Sequence, residues 1–120
     1  MRTQEVIVFV RRGEEVLAVH RSPENGSYWH SIAGGVEAGE TFAEAAVREL
    51  REETGLVAEV TPLDRSFAYE GIQVESFVVD APAGWEPTLD WEHDEYRWVS
   101  RAEAAELLYW PEPREIVRAL

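Results

Sequence analysis

The chain has 120 residues and no cysteine, and its 24 Asp and Glu against 11 Lys and Arg give a formal charge of −13. That length supplies one hydrophobic core and little more, and the lack of thiols excludes disulfide frameworks, zinc–thiolate sites and cysteine nucleophiles. The acid excess excludes passive attraction to nucleic acid or anionic membrane, because a phosphate backbone demands a basic footprint.

At 45% hydrophobic and 11% aromatic residues, the composition is globular. No apolar run reaches the length of a membrane span and the N-terminus lacks the apolar core of a signal peptide, so one cytoplasmic domain over 1–120 is expected. Every basic residue is Arg. Lysine chemistry is thereby excluded, and any phosphate clamp must use the planar guanidinium fork.

In chain order, the β-branched run from Gln4 to Val10 predicts a buried strand. Arg12-Gly13-Glu14-Glu15 predicts a turn and Val16 to Arg21 the returning strand of a hairpin. Ser22 to Ser27 carries Pro23, Asn25 and Gly26 and reads as a loop. A short strand from Trp29 to Ala33 leads to Gly34-Gly35. Thr41 to Thr54 is helical: Thr41 and Glu44 have capping-box spacing, the middle is rich in alanine, and Gly55 occupies the C′ position. Strands are predicted at Leu56 to Val60, Phe67 to Tyr69 and Ile72 to Val79, then a Gly/Pro/acidic loop from Pro82 to Asp94 and a strand from Tyr96 to Val99. Ser100 and Glu103 repeat the capping spacing for a helix to Tyr109, and Pro111 opens a last helix to Leu120. Hairpins around a central helix predict an α/β fold, a mixed sheet with helices packed on it.

At about 100° per residue, Ala43, Ala46, Val47 and Leu50 share an arc expected to face the sheet, and Glu49, Glu52 and Glu53 share a neighbouring one. Three carboxylates near a helix C-terminus repel one another and oppose the macrodipole. Taken alone, the stripe also reads as a solvated face laced with ion pairs to Arg48 and Arg51. A divalent ion would neutralise it, and clustered hard oxygens suit Mg²⁺, with Mn²⁺ as a substitute.

The flanks decide between these readings. From Gly34, five residues lead to Glu40, and seven more to Arg48-Glu49-Leu50-Arg51-Glu52-Glu53-Thr54-Gly55-Leu56. Residues 34–56 resemble the Nudix box, G-x5-E-x7-R-E-U-x-E-E-x-G-U with U aliphatic, at every specified position. The resemblance implies a Nudix-type α/β/α sandwich with the box helix on a mixed sheet. It also implies a Mg²⁺-dependent pyrophosphohydrolase that cleaves a nucleoside or pterin triphosphate, or a related nucleoside diphosphate derivative, by attack of water on phosphorus. It implies metal binding by Glu49, Glu52, Glu53 and the Gly34 carbonyl, with Glu52 and Glu53 serving catalysis, and a supporting role for Glu40 and Arg48 in aiming those ligands.

Outside the box, Glu92 is the expected general base and Glu95 its alternate, with His93 a bystander. Arg21 is either a phosphate clamp or a surface Arg paired to the acid excess. Trp29 is either a stacking platform for substrate or packing beneath the Gly34 loop. Trp85, Trp91 and Trp110 are candidates for a wall that stacks a ring, whereas Phe9, Phe77 and Trp98 read as core. Tyr28 to Glu37 and Glu92 to Trp98 are similar to dihydroneopterin triphosphate pyrophosphatases; the second stretch also resembles diadenosine polyphosphate hydrolases. The expected partner is a small nucleotide-type molecule, with no nucleic acid polymer and no membrane. A homodimer through an outward apolar face on Ile72–Val79 is left open by imperfect alternation. A non-catalytic nucleotide-binding module would have lost a box acid; none is missing here.

Overall fold

The structure is a computed structural model, and it describes residues 3–120. Strands β1 (Gln4–Arg12) and β2 (Glu15–Arg21) form the first hairpin, followed by a single 3-10 turn at Pro23–Asn25. Then come β3 (Trp29–His30), β4 (Ile32–Gly35), α1 (Phe42–Thr54), β5 (Thr61–Tyr69), β6 (Ile72–Asp80), β7 (His93–Ser100), α2 (Arg101–Leu107) and α3 (Pro111–Arg118). All strands belong to one seven-stranded mixed sheet. β1 lies at its centre, antiparallel to β2 and β4 and parallel to β6, with β7 antiparallel to β2.

The unbroken apolar run of β1 is explained by burial on both faces. Val6, Val8 and Val10 join Leu17, Ile32, Phe77 and the α1 residues Ala45, Ala46 and Leu50 in one core. Ile7 and Phe9 join Val16, Val78, Val99 and the α2–α3 residues Ala104, Leu108, Ile116 and Val117 in the other. The result is an α/β/α sandwich. Among the described residues no helix is long and apolar enough to cross a membrane.

α1 starts where expected. The Thr41 hydroxyl accepts from the Glu44 N–H at 3.1 Å, the Glu44 carboxylate accepts from the Thr41 N–H at 2.8 Å, and Gly55 closes the helix at φ 81°. Its phase differs from the expected one. Ala43 is exposed, and the buried residues are Ala45, Ala46, Leu50, Glu53 and Thr54. The reason lies in the 81–92 loop, which lays Trp85 and Leu89 on the same core and donates the Thr88 N–H to the Thr54 carbonyl at 2.9 Å. This loop thereby packs on the C-terminal turn of α1.

Other boundaries shift as well. Residues 56–60 form no strand: Leu56 plugs the core, Val57 is exposed, and ladder pairing begins at Thr61 opposite Val78. Pro62 sits at an edge-strand bulge that runs to Ser66. Ile72–Val79 has no outward apolar face, because β6 buries Val74 on one core and Phe77 and Val79 on the other. α2 stops at Leu107, because Leu108 turns extended and the Tyr109 N–H is taken by the Trp29 carbonyl at 3.1 Å. β7 begins at His93, earlier than Tyr96. Trp98 is half-buried at the rim of the α1-side core, under the Arg12 guanidinium at 4.1 Å.

Candidate functional site

Arg48 organises the start of the site. Its Nε donates to Glu40 at 2.7 Å; Nη2 donates to Glu40 at 3.0 Å and to the Gly35 carbonyl at 2.7 Å. Nη1 reaches Glu49 at 2.9 Å and Glu52 at 3.2 Å. Every N–H of the guanidinium is thereby committed inside the box. Arg48 has none left for a substrate and acts as a positioning residue. Its pairing with Glu40 holds that carboxyl below the usual carboxylate range, the Arg48 hydrogen bonds being the main cause. Glu40 also accepts from the Glu37 N–H at 3.0 Å, which fixes the turn leading into α1.

Gly34 faces Glu49. A Cβ at residue 34 would stand 2.2 Å from the Glu49 Cδ, so only glycine lets this carboxylate reach the turn. Glu52 remains 47% exposed and pairs with Arg48.

Glu53 is the opposite case. Its side chain is 1% exposed, and among the described residues neither carboxylate oxygen has a hydrogen-bond donor. Burial first, then proton sharing with Glu49 and the charges of Glu49, Glu92 and Asp90, push its carboxyl well above the usual range. Two carboxylates share a hydrogen bond only when one is protonated, so an ionised Glu53 has no partner of its own. A group this costly to bury calls for a cation in the same place. The orphaned Glu53 oxygens, the Gly34 gap filled by Glu49, and the all-oxygen donor set fit a hard divalent ion. Among the described residues no three acidic or imidazole groups already stand at mutual ligand spacing, because Arg48 holds Glu49 and Glu52.

A cavity of about 270 Å³ opens beside this cluster. Gly34, Glu49, Arg21, Glu92, Tyr28, Tyr69 and Trp110 are among the residues that line it. Arg21 is anchored by Nε to the Asn25 carbonyl at 2.7 Å and stands 3.8 Å from Glu92. Glu92 is held by its backbone carbonyl, which accepts from the Ser22 N–H at 2.9 Å. Glu95 lies outside the cavity, paired with Arg97 at 3.4 Å.

The aromatic candidates separate. Trp110 lies at the cavity, near-parallel to Tyr69 with centroids 6.3 Å apart. Trp85 packs edge-on against Trp98, and Trp91 is exposed outside the cavity. Trp29 is absent from the cavity wall, because alternation along the chain turns Tyr28 and His30 toward it. It packs instead on the α2–α3 side, edge-on to His20 and beneath Arg97 at 4.6 Å, and not under the Gly34 loop.

Several residues in and around the cavity had no signal in the sequence. Glu5 accepts from the Tyr69 hydroxyl at 2.6 Å on the cavity wall. His30 keeps Nδ1 buried without a partner, and burial followed by the charges of Arg21 and His93 lowers its pKa to about 3. His93, expected to be a bystander, is buried against Glu53 with Nε2 at 3.7 Å from Oε1. A bulge explains its position: β7 spends His93 to Glu95 where β2 spends only Arg21 and His20. Strict alternation from Trp98 and Tyr96 would send Asp94 inward, and the bulge sends His93 instead.

Comparison with known proteins identifies the fold and the family. The chain matches the family profile of the NUDIX domain over residues 1–120. It is 38% identical over 98% of its length to a Myxococcus xanthus protein named octanoyltransferase, covering 36% of that protein. It is 36% identical over 79% of its length to the NAD-capped RNA hydrolase NudC of Haemophilus influenzae, covering 38% of it. The chain thus spans about a third of the curated relatives it matches. In fold it is similar to the E. coli dihydroneopterin triphosphate pyrophosphohydrolase, with a TM-score of 0.88 at 21% identity over 99% of this chain and 94% of that one. With an intact box on a Nudix sandwich and a profile match along its whole length, the chain belongs to the Nudix hydrolase family.

Proposed function

We propose that residues 1–120 act as one cytoplasmic domain that hydrolyses a phosphoric anhydride bond in a nucleoside or pterin triphosphate, or a related nucleoside diphosphate derivative, with Mg²⁺ and with Mn²⁺ as a substitute. The observation that carries this reading is Glu53, a carboxylate buried with no donor among the described residues, beside Glu49, which itself packs against Gly34. Glu49, Glu52, Glu53 and the Gly34 carbonyl would hold the ion. When bound, it supplies the positive charge that offsets the phosphates and makes water a better nucleophile.

The chain's own groups do the rest. Arg21, the basic residue on the cavity wall, clamps phosphate oxygens in its planar fork. Glu92 faces the same cavity and accepts the proton that the attacking water loses. Water oxygen bonds to phosphorus, the anhydride P–O bond breaks, and the leaving phosphate keeps the electron pair. Trp110, Tyr28 and Tyr69 on the same cavity wall offer faces on which a heterocycle stacks. Arg48 and Glu40 hold the box in shape throughout.

A charge of −13 repels a free polyphosphate, so the substrate approaches as its metal complex. A nucleic acid polymer would lack a basic footprint here, and a small nucleotide-type molecule is the fitting partner.

The test is a panel of nucleoside and pterin triphosphates, NAD-type dinucleotides and diadenosine polyphosphates in ¹⁸O-labelled water, with products weighed by mass spectrometry. The reading predicts Mg²⁺-dependent cleavage with label on one phosphate product, abolished by EDTA. Preferential turnover of diadenosine polyphosphates would shift the substrate class. Tight nucleotide binding with no cleavage under any divalent ion would replace the enzyme by a binding module.

A further inference from the structure

The loop ahead of β7 brings a second charged pair against the box from outside it. We propose that Asp90 and His93 form a brace that aims the Glu53 carboxylate at the Gly34 turn, which makes both of them positioning residues of the site. This inference rests on the reading of Glu53 as a group that holds a divalent ion.

Three observations carry it. First, His93 is as deeply buried as Glu53, each side chain 1% exposed, and the two stand 3.7 Å apart between Nε2 and Oε1. Among the described residues neither atom has a hydrogen-bond partner, an arrangement that a purely structural core would replace with apolar side chains. Second, the imidazole is not free to turn. Its Nδ1 lies 2.9 Å from the Asp90 carboxylate, and a carboxylate there selects the ring form that carries its proton on Nδ1. Nε2 is then left as a lone pair facing Glu53, which does not bond an ionised carboxylate but repels it and turns it away from the ring.

Third, the backbone on which the brace stands is tied down. The His93 N–H reaches the Asp90 carbonyl at 3.3 Å, the Glu92 carbonyl accepts from Ser22 at 2.9 Å, and Thr88 bonds the last carbonyl of α1 at 2.9 Å. The bulge opposite Arg21 is what swings His93 inward.

The brace does more than fill space. Glu92 lies between its two members in sequence and faces the cavity. One short segment therefore sets the aim of Glu53 from below and the place of Glu92 from the side. Losing the brace lets Glu53 take other rotamers within the space left behind. Its other close neighbour is the carboxylate of Glu49, which repels Glu53 once both are ionised.

The experiment titrates Mn²⁺ alone into the protein, reads free Mn²⁺ by electron paramagnetic resonance, and records metal-free melting. Wild type is compared with His93→Leu, His93→Gln and Asp90→Asn. The brace predicts Mn²⁺ binding about tenfold or more weaker in His93→Leu and a smaller loss in Asp90→Asn. It also predicts partial rescue in His93→Gln, whose amide oxygen can present a lone pair at the Nε2 position. Metal-free melting of His93→Leu should equal or exceed that of wild type, since an unpaired buried nitrogen is removed. If His93→Leu does not fold, Asp90→Asn decides, since Asp90 lies nearer the surface and the amide keeps its shape. Wild-type affinity in Asp90→Asn and in every folded His93 variant overturns the brace and leaves the metal reading standing. Affinity loss only in variants whose metal-free melting also falls overturns it in favour of a structural role. A wild type that binds no Mn²⁺ removes both.

Discussion

Glu40 and Glu53 are both box carboxylates, at the entry to α1 and in its last turn, and the protein treats them in opposite ways. Glu40 meets Arg48 through Nε and Nη2 and the Glu37 N–H, so its charge is matched at every side. Glu53 is buried, and no described residue donates to it. A matched charge is scaffold: breaking it costs stability. A buried carboxyl without a matching donor costs stability as it stands, and a bound cation would offset that cost. Two box carboxylates that look alike in the sequence thus differ in their surroundings, Glu40 matched within the loop and Glu53 without a donor among the described residues.

The comparison is broken most sharply by Glu53→Gln. The amide brings its own N–H donors into a site with carboxylate acceptors, so the metal-free protein should melt at or above wild type. Hydrolysis should fall by about two to three orders of magnitude, the range for removing one charge-stabilising group. Scanning calorimetry with a turnover assay checks both. A matched fall in melting temperature and activity would place Glu53 with Glu40.

Gly34→Ala tests the other side of the cradle. Its methyl would meet the Glu49 carboxylate, the far end of a flexible side chain, so the fold persists while that carboxylate swings away. Mn²⁺ binding should weaken by about tenfold or more, measured by isothermal titration, with the circular dichroism spectrum unchanged.

Arg48→Ala addresses the scaffold. It leaves Glu40 and Glu49, both largely buried, without their main partner. The loss should be about 2–3 kcal/mol, below the cost of breaking a fully buried pair because solvent still screens the site. Urea unfolding reads it directly.

The smallest effect concerns pH. His30 titrates near 3 in the folded protein against 6.5 unfolded, so the unfolded chain binds the extra proton between those values. Stability is full above pH 6.5 and is lost as pH falls toward 3. His30→Gln should flatten that part of the decline. Urea midpoints from pH 7 to pH 4 that fall in parallel for both proteins would contradict this.

How much was legible in advance follows from the range of the forces involved. The caps and end of α1 are local: Thr41, Glu44 and Gly55 act within a turn or two of their own backbone, and the structure has them as the spacing requires. The two-sided burial of β1 was equally plain in its unbroken apolar run. The phase of α1 was not, because the 81–92 loop decides it, and nothing in Ala43 or Ala45 announces which way that distant segment will close. His93 was read as a bystander for a similar reason. A bulge arises from a mismatch between β7 and β2, strands far apart in the chain, and periodicity within either one cannot reveal it. Leu56 to Val60 had strand composition but no strand to pair with.

The central claim is that Glu53 and Glu49 seat a divalent ion at the Gly34 turn. A crystal grown with Mn²⁺ and a non-hydrolysable nucleoside triphosphate analogue tests it by anomalous scattering. The account predicts an anomalous peak bonded to a Glu53 oxygen and shared with the Gly34 carbonyl or Glu49. Analogue bound in the Tyr28–Trp110 cavity with its ion elsewhere, and Glu53 still without a partner, would contradict it.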